Sequence, residues 1–216
     1  MRANDFALPL KNAVVQEVRS RIIDGRYALG QRLSENIIAQ EMETSRAPVR
    51  DAFMILSAEG LVQIYPQRGS FVFNPNNEEI YALCEVCGIY EMGALTLALE
   101  RNSDKIYDVL QESLVHGEKA LLYNDMPAWA KADRIFHESI VMLGENPFLI
   151  EAYRHISARI SALVHRLPSS RERIQHSLAQ HRDTISMVRQ RNLEGITKLL
   201  RENNMYVAKL LEDITG

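Results

Sequence analysis

The sequence predicts a mainly α chain in two parts: three short helices closed by a β-hairpin over residues 1–75, then an all-α antiparallel helical bundle over residues 76–216. Three observations carry this. Apolar residues recur at helical spacing in every segment from Glu78 onward, and two short β-rich runs stand together between residues 61 and 73. A polar, helix-breaking Asn74-Pro75-Asn76-Asn77 lies between the two parts and reads as a linker.

In chain order, Pro9 to Asp24 forms the first helix, with Val14, Val18 and Ile22 on one stripe and Gly25 ending it. After a glycine-bounded loop, Ser34 caps a second helix that carries Ile37, Ile38 and Met42 to about Glu43. Ser45 caps a third; Pro48 is tolerated in its first turn, Val49, Phe53 and Leu56 supply its buried face, and Gly60 stops it. Leu61-Val62-Gln63-Ile64-Tyr65 and Ser70-Phe71-Val72-Phe73 then flank a Pro66-Gln67-Arg68-Gly69 turn, which makes a hairpin.

The bundle should contain helices over residues 78–101, 104–123, 126–143, 147–166, 171–190 and 193–213. Asp125 before Pro127, Gly144, Asn146 before Pro147, and Leu167-Pro168-Ser169-Ser170 punctuate them. Connections this short favour antiparallel neighbours.

Composition excludes more than it selects. The chain of 216 residues is 46% hydrophobic and 25% charged, ordinary for a soluble globular protein. No apolar run is read as long enough to span a bilayer, and no signal-peptide core follows Met1-Arg2-Ala3-Asn4-Asp5, so a cytoplasmic protein without a membrane partner is expected. The net charge of −3 announces no nucleic-acid partner, so a DNA reading rests on where the arginines stand. The two cysteines, Cys84 and Cys87, lack a second pair at zinc-site spacing and read as small residues of a reduced helical core.

A helix-turn-helix followed by a hairpin wing places the N-terminal end of its second helix in the major groove. Here that end is Ser45-Arg46-Ala47-Pro48-Val49-Arg50. Arg46 and Arg50, four apart, share a face and either suits a bidentate contact to guanine. Ser45 and the free backbone N–H groups suit a phosphate; Arg32, just before the second helix, suits the DNA backbone; Arg68 beside Gly69 sits where a wing meets the minor groove.

The bundle carries polar residues on stripes that should be apolar. Trp129, Phe136 and Ile140 mark the buried stripe of the third bundle helix, and Asp133 and His137 fall on it one turn apart. His181 lies among Ile174, Leu178, Ile185 and Val188, and Asn203 among Ile196, Leu199, Leu200, Val207 and Leu210. A buried carboxylate costs several kcal/mol unless compensated. A divalent metal on Asp133, His137 and His181 would compensate it, and so would a metal-free Asp–His network; spacing leaves the two level. Two imidazoles and a carboxylate suit zinc, nickel, iron or manganese alike.

Residues 10–73 resemble the winged helix-turn-helix of the GntR family of bacterial regulators. The resemblance is carried by Gly30-Gln31-Arg32-Leu33-Ser34-Glu35, Ser45-Arg46-Ala47-Pro48-Val49-Arg50-Asp51-Ala52, Ala58-Glu59-Gly60-Leu61-Val62 and Arg68-Gly69-Ser70-Phe71-Val72. It implies operator contacts from Arg32, Arg46, Arg50 and Gly69, with Ala47 where threonine is usual and Glu43 where glycine is usual. Residues 78–213 resemble the FCD effector domain of the FadR branch, on Asp133-Arg134-Ile135-Phe136-His137-Glu138-Ser139-Ile140, Asn146-Pro147 and His181-Arg182-Asp183-Thr184-Ile185. In its metal-binding members the equivalents of Asp133, His137 and His181 ligate the ion together with a last-helix histidine. This chain has Asn203, a weaker ligand, at that place, and Cys87 near a common arginine.

The expectation is therefore a homodimeric regulator, of repressor type, that reads double-stranded operator DNA and is controlled by a small organic acid bound in the bundle near Asp133, His137, His181 and Asn203. Two rivals stand beside it. A helical metallohydrolase would use the same three ligands but lacks a general base or nucleophile at defined spacing. A redox regulator would use Cys84 and Cys87, and needs reactive, accessible thiols.

Overall fold

The computed structural model describes residues 10–168 and 170–212, and its contacts divide at Pro75 and Asn76 into two compact units. The expected boundary residues Pro9, Ser169 and Asp213 lie outside the described residues, as does the Met1–Asp5 start.

The first unit contains α1 (Leu10–Ile23), β1 (Arg32–Leu33), α2 (Glu35–Glu41), α3 (Arg46–Ala58), β2 (Val62–Tyr65) and β3 (Gly69–Val72). Val14, Val18 and Ile22 of α1 and Val49, Phe53 and Leu56 of α3 are buried where these helices pack together. Each such side chain contributes about 1.5–3 kcal/mol on leaving water, enough for so short a helix pair to hold its angle. The hairpin forms where expected, with Val62 opposite Val72 and Tyr65 opposite Gly69. The sheet has a third member: Arg32 and Leu33 pair antiparallel with Phe71 and Ser70, giving the order β1-β3-β2. Two residues are too short to show an alternating pattern, so only the fold reveals β1.

Ser34 caps α2 as expected, accepting from the Ile37 N–H at 3.4 Å. Ser45 occupies the N-cap position of α3, but its hydroxyl makes no capping hydrogen bond. Glu43 closes the turn between these helices at φ 49°, a left-handed conformation that glycine adopts without strain and glutamate does not.

The second unit is a bundle of α4 (Asn77–Arg101), α5 (Ser103–Tyr123), α6 (Met126–Leu143), α7 (Pro147–Val164), α8 (Arg171–Gln190) and α9 (Leu193–Glu212). Part of the expected linker instead starts α4. Asn76 accepts from Glu79 N–H at 2.9 Å and Glu79 returns a bond to the Asn76 N–H at 2.9 Å, a capping box. The Asp125 and Asn146 carboxyl and amide oxygens cap α6 and α7, each ahead of its proline.

One expectation is corrected here. By length and composition α4 is apolar enough to cross a membrane. Its apolar residues are spent differently: Ile80, Cys84, Leu95 and Ala98 are buried against α6, α7 and α9, as in the central helix of a bundle.

Candidate nucleic-acid interface and candidate metal centre

In the first unit, Ser45, Arg46, Ala47 and Arg50 are all exposed at the N-terminal end of α3. Arg46 and Arg50 converge on one carboxylate, that of Glu35 on α2: Arg46 Nη2 lies 2.9 Å and Arg50 Nη2 3.3 Å from Glu35 Oε2. Arg50 and, less strongly, Arg46 hold Glu35 below the usual carboxylate range. The guanidinium of Arg32 lies along Gly69, where an added Cβ would come within 3.4 Å of Arg32 Nε. Gly69 has φ 105°, a conformation that calls for glycine, while a Cβ there would meet Arg32 only at ordinary contact distance. These groups line a groove of about 420 Å³ that includes Arg32, Ser34, Glu35, Arg46 and Gly69. Arg68 is exposed at the hairpin tip, its guanidinium 5.7 Å from the centre of the Tyr65 ring.

In the bundle, two helices face each other through matched i, i+4, i+8 positions. Trp129, Asp133 and His137 on α6 meet Arg173, Ser177 and His181 on α8. Arg173 sits 4.8 Å over the Trp129 ring, Ser177 Oγ donates to Asp133 Oδ1 at 2.7 Å, and His181 Nε2 lies 3.6 Å from Asp133 Oδ1. The rings of His137 and His181 meet edge-on at 5.4 Å. Phe136 stacks flat on His181, with centroids 3.7 Å apart and planes 8° from parallel, and so fixes the imidazole plane.

The potential ligand atoms of Asp133, His137 and His181 lie within 4.8 Å of one another. His181 Nε2 is buried without a hydrogen-bond partner, and 3.6 Å from a carboxylate oxygen is too far for a hydrogen bond. An unsatisfied nitrogen and a carboxylate oriented by Ser177 suit two donors to one cation, so these residues fit a divalent metal. Burial, joined by repulsion from His137, drives His181 down to about 3 against the pull of Asp133, leaving it neutral as a ligand must be. Burial also disfavours the charged form of His137, but attraction to Glu91 and Asp133 outweighs it and raises His137 to about 9.

Glu91 is the residue sequence reasoning missed. It is 2% exposed on α4, and its Oε1 lies 3.0 Å from His137 Nδ1. Tyr153 of α7 donates its hydroxyl to Oε1 at 3.3 Å, Cys87 approaches the same oxygen at 3.8 Å, and the Asn204 amide donates to Oε2 at 3.5 Å. A signal was present: Ile80, Cys84, Cys87, Glu91, Leu95 and Ala98 form one helical stripe. The reasoning that found Asp133 on α6 applies equally to an acid on that stripe.

The last helix turns Asn204 further inward than Asn203. Asn203 is half-buried, and the inward stripe of α9 runs through Ile196, Leu200, Asn204, Ala208 and Leu211. The larger apolar residues do not mark the packed face: Leu199, Val207 and Leu210 are only half-buried while the small Ala208 is fully covered. Asn204 reaches inward because Gly88 opposite it has no side chain; a Cβ there would lie 3.2 Å from Asn204 Nδ2.

The cysteines do not meet the requirement of the redox reading. Cys84 and Cys87 are free and 0% and 4% exposed. Burial raises Cys84 to about 12 and Cys87 well above the ordinary thiol value, which suppresses the reactive thiolate.

The chain matches the FCD domain over residues 82–203 and the gntR family of bacterial regulatory proteins over residues 10–72. It is 25% identical over 206 residues to the gluconate operon transcriptional repressor of Bacillus licheniformis, covering 93% of this chain and 84% of that one. It is 20% identical to the HTH-type transcriptional repressor RspR of Escherichia coli strain K12, covering 95% and 90%. Among solved structures, E. coli McbR/YncC aligns with TM-score 0.82 at 19% identity, covering 97% of this chain and all of that one. A putative GntR regulator from Rhodococcus sp. RHA1 aligns at 0.76 and 24%, covering 93% and 96%. At such identities the structural likeness shows the fold.

Proposed function

The chain belongs to the gntR family of bacterial regulatory proteins and carries an FCD domain, and on that premise we propose that its operator affinity is set by a small organic acid bound in the bundle beside a divalent metal. The family is one of transcriptional regulators rather than enzymes, which removes the metallohydrolase reading. Residues 1–75 form the reading head and residues 76–216 the effector and dimerisation domain.

In the head, Arg46 and Arg50 exchange Glu35 for guanine edges, each a bidentate contact contributing about 1–3 kcal/mol of base discrimination. The Ser45 hydroxyl, free of a capping bond, and the exposed Ala47 at the start of α3 lie against the phosphate backbone. Arg32, seated on Gly69, takes a second backbone position, and Arg68 at the wing tip enters the minor groove. A homodimer presents two heads to a short palindrome.

In the bundle, Asp133, His137 and His181 hold the metal, whose contribution when bound is a positive centre that a carboxylate can coordinate. Ser177 keeps Asp133 in place and Phe136 keeps His181 in plane, while the half-buried Asn203 of α9 is the amide proposed to meet the effector. The acid regulates only through unequal affinity for the DNA-competent and incompetent states. The observation that carries this half is the unpartnered His181 nitrogen 3.6 Å from Asp133.

Two measurements test the proposal. After selection of the preferred site from random duplex DNA, Arg46→Ala and Arg50→Ala should each weaken binding about 5–100-fold; unchanged affinity refutes the reading head. Elemental analysis of protein purified without a metal-affinity tag should find about one divalent ion per chain, lost in Asp133→Ala. No ion in the native protein refutes the metal and leaves the effector to the polar side chains alone.

A further inference from the structure

We propose that Glu91 is a positioning residue for the metal centre: it claims Nδ1 of His137 and thereby commits Nε2 to the ion. The inference rests on the metal reading above and adds a residue that the three-ligand set does not contain.

The argument begins with what a carboxylate at this depth requires. Glu91 is 2% exposed, and a charge so placed persists only where several groups compensate it. Four helices supply them: Cys87 from α4, His137 from α6, Tyr153 from α7 and Asn204 from α9. Tyr153 and Asn204 are neutral donors, which satisfy lone pairs and fix the carboxylate without cancelling its charge. His137 is the partner among these that can carry a positive charge.

The geometry between them is specific. The 3.0 Å approach comes from Nδ1, and that nitrogen is buried with no aligned hydrogen bond. The ring therefore stands beside Oε1 without its N–H directed at the oxygen. A histidine has two nitrogens on opposite edges, so a carboxylate that binds one leaves the other as the available ligand atom. A metal-bound imidazole commonly donates its second N–H to a carboxylate, which fixes tautomer and orientation and strengthens the ligand. A slight turn of the His137 ring would direct Nδ1–H at Oε1 and leave Nε2 to hold the ion. Ser177 performs the matching service for Asp133, and Phe136 for His181, so each ligand has its own support.

A purely structural Glu91 would hold α4, α6, α7 and α9 together and leave metal affinity alone. The two are separated with full-length, chelator-stripped protein titrated with Zn²⁺ against a chromophoric competitor. Glu91→Gln, which keeps shape and loses charge, should weaken Zn²⁺ binding about 10–100-fold. Glu202→Gln removes an exposed acid of α9 that pairs with Lys198, and should stay within about threefold of native.

Long-range ¹H–¹⁵N spectra of the zinc-loaded native protein should show His137 protonated at Nδ1 and ligated through Nε2. Tyr153→Phe, which removes one donor to Glu91 and keeps the buried ring, should weaken Zn²⁺ in the same direction by a smaller factor and decides the matter if Glu91→Gln fails to fold. Native-like affinity in a folded Glu91→Gln, or ligation of His137 through Nδ1, overturns the inference while sparing the metal reading. A native protein that binds no zinc, nickel, iron or manganese overturns both.

Discussion

The two imidazoles of the bundle should give its stability a maximum in pH, with a different residue responsible for each flank. His137, raised to about 9, keeps a proton in the folded chain that an unfolded histidine of ordinary value near 6.5 has released. Its contribution is therefore complete below about pH 6.5 and is lost as pH rises through 9. His181 has the opposite sign. Held at about 3, it refuses a proton that the unfolded chain accepts, so its contribution is complete above about pH 6.5 and is lost as pH falls toward 3. Each flank has a limiting slope of one proton, about 1.4 kcal/mol per pH unit. From pH 6.5 to 8, or from 6.5 to 5, the loss is on the order of 1.5 kcal/mol.

The groups facing these rings are Glu91 from α4, Asp133 and Glu138 on α6, Arg173, which acts on Asp133 from α8, and each imidazole for the other, the charge on His137 helping to hold His181 down. The assay is urea unfolding of chelator-stripped protein between pH 5 and 8.5, followed by the fluorescence of Trp129. That residue is the chain's single tryptophan and is 4% exposed in the bundle, so it reports this unit alone. Above that range the buried thiols and Tyr153 titrate with the same sign as His137 and would blur the reading. Glu91→Gln should flatten the alkaline flank and leave the acid flank intact. A flat profile, or one that rises steadily through pH 8.5, refutes the charge states assigned here.

Two further outcomes follow from the reading head. Glu35→Gln removes the anion that occupies Arg46 and Arg50 in the free protein. Binding to scrambled duplex should tighten several-fold at low salt and the ratio of specific to nonspecific affinity should fall, both read by fluorescence anisotropy; an unchanged ratio refutes an orienting role for Glu35. Glu43→Gly relieves the left-handed turn at φ 49° and should stabilise the head by up to about 1 kcal/mol in thermal unfolding, whereas destabilisation would show that the glutamate side chain earns its place by contacts.

The helices of this protein were legible because their signals are local. Proline at first-turn positions, the caps at Asp125 and Asn146, and apolar residues three and four apart define each helix within its own segment. The same periodicity exposed Asp133, His137 and His181, since a polar residue on an apolar stripe needs only its neighbours to be noticed. The reading head was legible through ordered short motifs around Arg32, Arg46, Arg50 and Gly69.

What tertiary structure decided lies between segments. Two-residue β1 exists because β3 offers it an edge. Arg46 and Arg50 meet at Glu35 because α2 and α3 are set at one angle. Asn204 rather than Asn203 turns inward because the face α9 presents is chosen by its fit against α4, where Gly88 leaves room. Glu91 meets Tyr153 across 62 positions and Asn204 across 113, separations over which periodicity carries no information. A stripe tells which residues of a helix leave water; only close packing against other helices determines which of them touch, and therefore which buried charge is compensated by which partner.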